Sequence, residues 1–259
     1  MDTATAQTLA RLDRRLEPLL EPEMRRGLVR EWLGEADPEA ACEVVAAALA
    51  RRRSADSLRR ALSEVLTGIT GKRLDYELQC DLYAAASRKQ NDEVMRLLRS
   101  VPAREALEDP ERLLSKELAE MPLGRRRALA KSNRPEWLEQ LARDCDPVVI
   151  ANLLKNPRTV EADVLRIAGM RPVAASTLVE IAHSERWSVR VPIRRALARN
   201  PYCPVEIATG IVASLPLEEL RAMQGDPDLH VETRAQLDLE LERRVPARVG
   251  AAGEGGDPA

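Results

Sequence analysis

Phenylalanine is absent from this sequence, and aromatic residues of all kinds make up 2% of it. An apolar share of 44% still provides for a sizeable core, so Leu, Ala and Val must do the packing. Leu and Ala are good helix formers, whereas strands favour aromatic and β-branched residues. Charge of one sign is missing too: the formal net charge is −2, which gives no bulk attraction to nucleic acid or to a membrane surface. The longest purely apolar run near Val44–Ala50 is seven residues, far short of the roughly 20 that a membrane helix needs. The N-terminal stretch has no apolar segment of the kind a secretory signal requires. Cysteines stand at 42, 80, 145 and 203 with no Cys-x-x-Cys, and a chain of 259 residues needs no disulfide staples. They read as buried thiols in a reducing compartment, and the protein as cytoplasmic.

What is present is helical punctuation. Asp–Pro pairs occur at Asp37–Pro38, Asp109–Pro110, Asp146–Pro147 and Asp226–Pro227. Asp accepts hydrogen bonds from the free amides of a helix start, and Pro suits the first helical position because its missing N–H would have no partner there. Each pair therefore predicts a helix start. Apolar residues between them recur at helical spacing: Met24, Leu28 and Trp32; Leu58, Leu62 and Val65; Leu74, Leu78, Leu82 and Ala85; Leu113, Leu114 and Leu118; Val189, Ile193, Ala196 and Leu197. No stretch keeps the alternation of a strand, and heptads do not persist, so the fold class is all-α.

The length allows one large or two ordinary domains. Residues 1–120 read as an N-terminal helical region and 121–244 as a denser, repetitive one. Residues 245–259 have almost nothing to bury and read as a disordered tail. The repetition shows in Asn156–Pro157 and Asn200–Pro201, 44 residues apart, each after one helical pattern and before another. Asn133 lies 23 residues before Asn156, also with a proline (Pro135) close behind. That makes 23 a half-unit and 44 a full one, the interval of HEAT and armadillo helix pairs. Between Met170 and Trp187 the period is broken by a longer insertion.

On Leu138, Leu141, Ala142, Asp146, Pro147, Val149, Leu153, Asn156, Pro157, Val164 and Leu165 the chain resembles the leucine-rich repeat variant, a HEAT-like helical repeat. The resemblance covers 132–215, about a third of the chain. It implies a right-handed α-solenoid. It rests on packing and capping residues and implies no activity. The Cys-rich iron–sulfur module that members of that family can carry is not implied, because the cysteines here do not cluster.

Few residues carry chemistry. The only histidines, His183 and His230, lie 47 positions apart with no metal-binding motif around them. His183 reads as a helix-end residue beside the Ser184–Ser188 turn. The segment Gly68–Arg73 superficially looks like a phosphate loop, but its glycines are too close together. Arg73 also stands where Ser or Thr would hold magnesium. It reads as a helix end and a turn. Acidic pairs such as Glu105 and Glu108, or Glu218 and Glu219, read as solvated faces. No serine or cysteine nucleophile motif is present. The chain reads as non-catalytic and free of cofactors, an enzyme with an unrecognised site being the third reading.

The distribution of charge carries the functional expectation. Residues 121–200 hold 15 Lys and Arg against 8 Asp and Glu, between acidic flanks. Such a stretch either recruits an anionic partner or is neutralised by its own neighbours. The candidate partner residues are Arg125, Arg126, Arg127, Lys131, Arg186, Trp187, Arg190 and Arg194. Arg186, Arg190 and Arg194 fall at i, i+4 and i+8 and line one face if a helix starts early enough. Arg is suited to carboxylate and phosphate, and Trp to anchoring. The competing account places Trp187 in the core and pairs the arginines with acids of the next repeat. The leading expectation is a scaffold that binds an acidic protein segment through this basic face. The alternative is a nucleic-acid binder with these residues on one positive surface.

Overall fold

A computed structural model describes residues 2–51, 56–69 and 74–244. Among them there are sixteen α-helices and no strand. The first six are α1 (Thr3–Leu16), α2 (Pro22–Glu35), α3 (Pro38–Leu49), α4 (Ser57–Thr67), α5 (Tyr76–Arg88) and α6 (Asp92–Leu98). A 3₁₀ turn at Pro110–Leu113 leads to α7 (Lys116–Ala119), α8 (Leu123–Leu129), α9 (Pro135–Leu141), α10 (Pro147–Lys155) and α11 (Glu161–Ala168). The chain continues through α12 (Ala175–His183), α13 (Val191–Ala198), α14 (Val205–Ser214), α15 (Leu217–Met223) and α16 (Val231–Arg244). The tail expected at 245–259 and the Thr70–Arg73 part of the expected turn lie outside the described residues.

Local chemistry explains most helix starts. Asp37 accepts a hydrogen bond from the Ala40 amide at 3.0 Å, and Asp146 accepts one from Val149 at 2.9 Å, each with Pro in the first helical position. Asp109 opens only the 3₁₀ turn. Asp226 starts no helix. Its carboxylate accepts from the Asp228 amide two residues on, at 2.9 Å, which closes an Asx turn, and α16 begins later, at Val231. The expected single stripe of Leu113, Leu114 and Leu118 is split between the 3₁₀ turn and α7.

Apolar side chains gather into two clusters, one drawn from Leu9–Leu98 and one from Leu118–Leu241 together with Ile69. Each fully buried Leu or Val in them contributes about 1.5–3 kcal/mol. The Leu58, Leu62 and Val65 stripe is wholly interior. On α2 the stripe is displaced. Met24 is 56% exposed, and the buried face runs through Arg26, Val29, Trp32 and Leu33. Arg26 takes the interior position because its guanidinium reaches the buried Glu64 at 3.1 Å. Cys42 and Cys203 are buried as expected, but Cys80 is exposed on α5.

Two features position the later site. The first is α4, which is enclosed on nearly all sides and packs along α2 and α14. Gly210 makes the crossing with α14 possible: a Cβ there would lie 2.2 Å from the Thr67 hydroxyl. The second is the successive packing of α8, α10 and α12, alongside that of α11 and α13. The segment 170–187 is not a break in this succession, because it contains α12. The 44-residue interval between the Asn–Pro pairs therefore spans three helices rather than a pair.

The two asparagines nevertheless do the same thing. Asn156 donates to the Ala130 and Ser132 carbonyls at 2.9 and 2.8 Å and accepts from the Arg158 amide. Asn200 donates to the Ala168 and Met170 carbonyls at 2.8 and 3.0 Å and accepts from the Tyr202 amide. Each fastens the end of its own helix to the end of the helix two before it. Asn133 is exposed and makes no such link.

Candidate functional site

The basic stretch does not form one surface. Arg125 and Lys131 are exposed. Arg126 is buried beside Asp144, with Nε 3.3 Å from the carboxylate, and donates to the Leu118 carbonyl. Arg127 clasps Asp146 through two bonds of 3.1 and 2.9 Å, which hold the Asp146 carboxyl below the usual range. Arg186 lies over the Trp187 ring, 4.2 Å from its centre, and donates to the Thr159 carbonyl. Trp187 is 3% exposed and its indole N–H bonds the Leu154 carbonyl at 2.8 Å, so it is a core residue rather than a partner anchor. Arg190 stands at the N-cap of α13, 3.8 Å from Glu161.

Arg194 departs furthest from expectation. Because α13 begins only at Val191, Arg186 and Arg190 precede the helix and Arg194 faces inward. It is 2% exposed, donates to Glu64 at 3.0 Å and bonds the Ser214 hydroxyl. The expected face of Arg186, Arg190 and Arg194 is therefore not formed. Burial alone excludes Arg194 and Trp187 from an outer partner surface.

Arg194 instead belongs to a cleft between the α4 end of the first cluster and α13–α16 of the second. Its volume is about 510 Å³. Five arginines line it: Arg25, Arg59, Arg60, Arg194 and Arg244. They come from α2, α4, α13 and α16. Val191, Leu215, Pro216 and Leu217 supply an apolar wall, and Asp56 is the one carboxylate among the lining residues. Arg25 and Arg60 stand at the rim, Arg60 with its side chain 47% exposed.

Two buried carboxylates organise the floor. Glu64 receives Arg194 at 3.0 Å, Arg60 at 3.1 Å and Arg26 at 3.1 Å. Burial pushes its carboxyl up, but Arg194 and Arg60 outweigh this and hold it below the usual glutamate value. Glu240 receives Arg59 and, at 2.8 Å, Arg244. Arg59 also donates to the Arg51 and Ala213 carbonyls, and Arg244 to Ala213 and Leu215. Burial, with Arg244 nearby, lowers the Arg59 guanidinium to about 10. Burial, with Arg243 nearby, lowers Arg244 to about 10. Both are charged at neutral pH. Two floor donors, Nε of Arg59 and Nε of Arg194, are buried without a hydrogen-bond acceptor.

Arrangements of this kind attract anions. Guanidiniums that share too few carboxylates in a partly enclosed cleft leave a net positive potential there. Four of the five arginines escaped sequence reasoning because they lie outside 121–200. Nothing in a local window separates Arg59, which is interior, from Arg60 beside it.

Among the described residues, no three or more His, Cys, Asp and Glu are grouped to hold a metal ion, and no helix is long and apolar enough to cross a membrane. No protein-family model matches the sequence, and the searches of curated proteins and of solved structures returned no match.

Proposed function

We propose that this chain is a non-catalytic helical-repeat scaffold that binds an acidic segment of a protein partner, with the arginine-lined cleft as its seat. One observation carries the reading: five guanidiniums converge on a cavity of about 510 Å³ with one carboxylate in its lining. Arg pairs with carboxylates in a planar, two-pronged geometry, so such a cavity favours acidic side chains. The wall of Val191, Leu215, Pro216 and Leu217 offers apolar area to the intervening aliphatic groups of the same segment. The stacked helices of 121–244 belong to the same reading as an α-solenoid that presents this seat, in line with the resemblance on 132–215.

The test is fluorescence anisotropy with a labelled Glu-rich peptide, a Lys-rich control and a DNA duplex, at low and high salt. Binding of the Glu-rich peptide alone is expected. It should weaken about tenfold or more when Arg25 and Arg60 are both changed to Glu, and little when Arg190 is. Preference for the duplex, or equal sensitivity to Arg190→Glu, overturns the proposal.

A further inference from the structure

We infer that the group seated in the cleft is a phosphoryl group, carried on a phosphoserine or phosphothreonine of the partner segment. The inference rests on the reading of the cleft as the partner's seat.

Charge is the first ground. Four of the five lining guanidiniums, those of Arg59, Arg60, Arg194 and Arg244, share two carboxylates, Glu64 and Glu240, while Asp56 is bonded to Arg51 outside the lining. The excess is two positive charges. A carboxylate ligand carries one negative charge, whereas a phosphoryl ester carries about −1.5 to −2 at neutral pH. The second ground is reach. Arg59 Nε and Arg194 Nε are enclosed and have no acceptor, so a dianion in the cleft acts on them as a countercharge. Its direct bonds come from Arg25 and Arg60 at the rim.

The lowered Arg59 and Arg244 guanidiniums fit this picture, since crowded like charges gain most from a dianion.

Short labelled peptides test it on the full chain. Three share one neutral sequence with Ser, Glu or phosphoserine at the central position, and a fourth is Glu-rich. The phosphoserine peptide is expected to bind at least about tenfold more tightly than its Ser and Glu counterparts. That gain should disappear in Arg25→Gln/Arg60→Gln, whose substituted side chains sit at the rim, with helicity unchanged by circular dichroism. If the Glu-rich peptide binds but phosphoserine gives no gain over Glu, the inference fails and the acidic-segment reading stands. If no peptide binds, both fail. Inorganic phosphate binding as tightly as the phosphopeptide, or a DNA duplex displacing it at lower concentration, also overturns the inference.

Discussion

Arg194 and Glu64 are 130 positions apart in sequence and meet at 3.0 Å in the interior, with side chains 2% and 4% exposed. The pair joins α13 to α4 and sets one wall of the cleft. A buried ion pair adds little over a well-packed apolar pair, but removal of one partner strands the other. Glu64 serves three arginines, so Glu64→Gln is expected to destabilise the fold by about 3–5 kcal/mol. Arg194→Met is expected to cost less, because Glu64 retains Arg26 and Arg60. Urea denaturation of the two variants checks the order. A larger loss from Arg194→Met would mean that Glu64 is not the hub.

The same carboxyl makes stability depend on pH. Glu64 titrates in the folded state below its ordinary 4.5, so between the two values the unfolded chain binds more protons. Its stabilisation is complete above 4.5 and drains as pH falls through the folded value. Asp144 has the opposite sign. Burial raises it above 3.8, so its contribution declines as pH climbs from 3.8 through the folded value. Urea midpoints across the acid range should therefore fall less steeply with acid in Glu64→Gln and more steeply in Asp144→Asn. Identical profiles for both variants and the parent would remove these carboxyls from the account.

Helix starts at Asp37 and Asp146 were legible because the cap, the proline and the apolar stripe all lie within a few residues. The Asn–Pro signature was legible as a recurring device, but its interval misled: Asn156 and Asn200 follow α10 and α13, with an odd number of steps between them. Arg194 was illegible as an interior residue. A window around it shows an amphipathic helix with an arginine among arginines, and the distant Glu64 and Ser214 make burial tolerable. The cleft shares this difficulty, since its arginines come from four helices that only tertiary packing brings together. Trp187 could be read as core or anchor, and the Leu154 carbonyl that satisfies its indole decides for core.

Glycines separate close approach from accident. A Cβ on Gly210 would fall 2.2 Å from Thr67 Oγ1 and 2.7 Å from Ile69 Cδ1, so α14 must move away from α4. Gly210→Ala is expected to destabilise by about 1–3 kcal/mol and to weaken any binding in the cleft, whose far wall is the end of α14. Gly27 and Gly34 of α2 have nothing within 4 Å of such an atom. Alanine at either should stabilise by about 0.5–1 kcal/mol through helix propensity alone. Thermal denaturation of the three variants reads both signs, and a stabilising Gly210→Ala would refute the close crossing.

Asn156 and Asn200 allow a direct test of structural equivalence. Each side chain satisfies two carbonyls at the end of an earlier helix and one amide of its own turn. Alanine leaves those buried groups without partners, at about 1–3 kcal/mol per site. The two losses should be similar, because the bonding patterns match. They should also add in the double variant to within about 0.5 kcal/mol, because the two residues share no partner. Aspartate is the sharper probe. It keeps the acceptor for the turn amide but loses both donors and points a carboxylate at two carbonyls. Asn→Asp should therefore exceed Asn→Ala at neutral pH and improve in acid, where a protonated carboxyl regains one donor. If Asn200→Ala were silent while Asn156→Ala was costly, the shared geometry would not be a shared function, and the repetition in 121–244 would be a pattern of sequence alone.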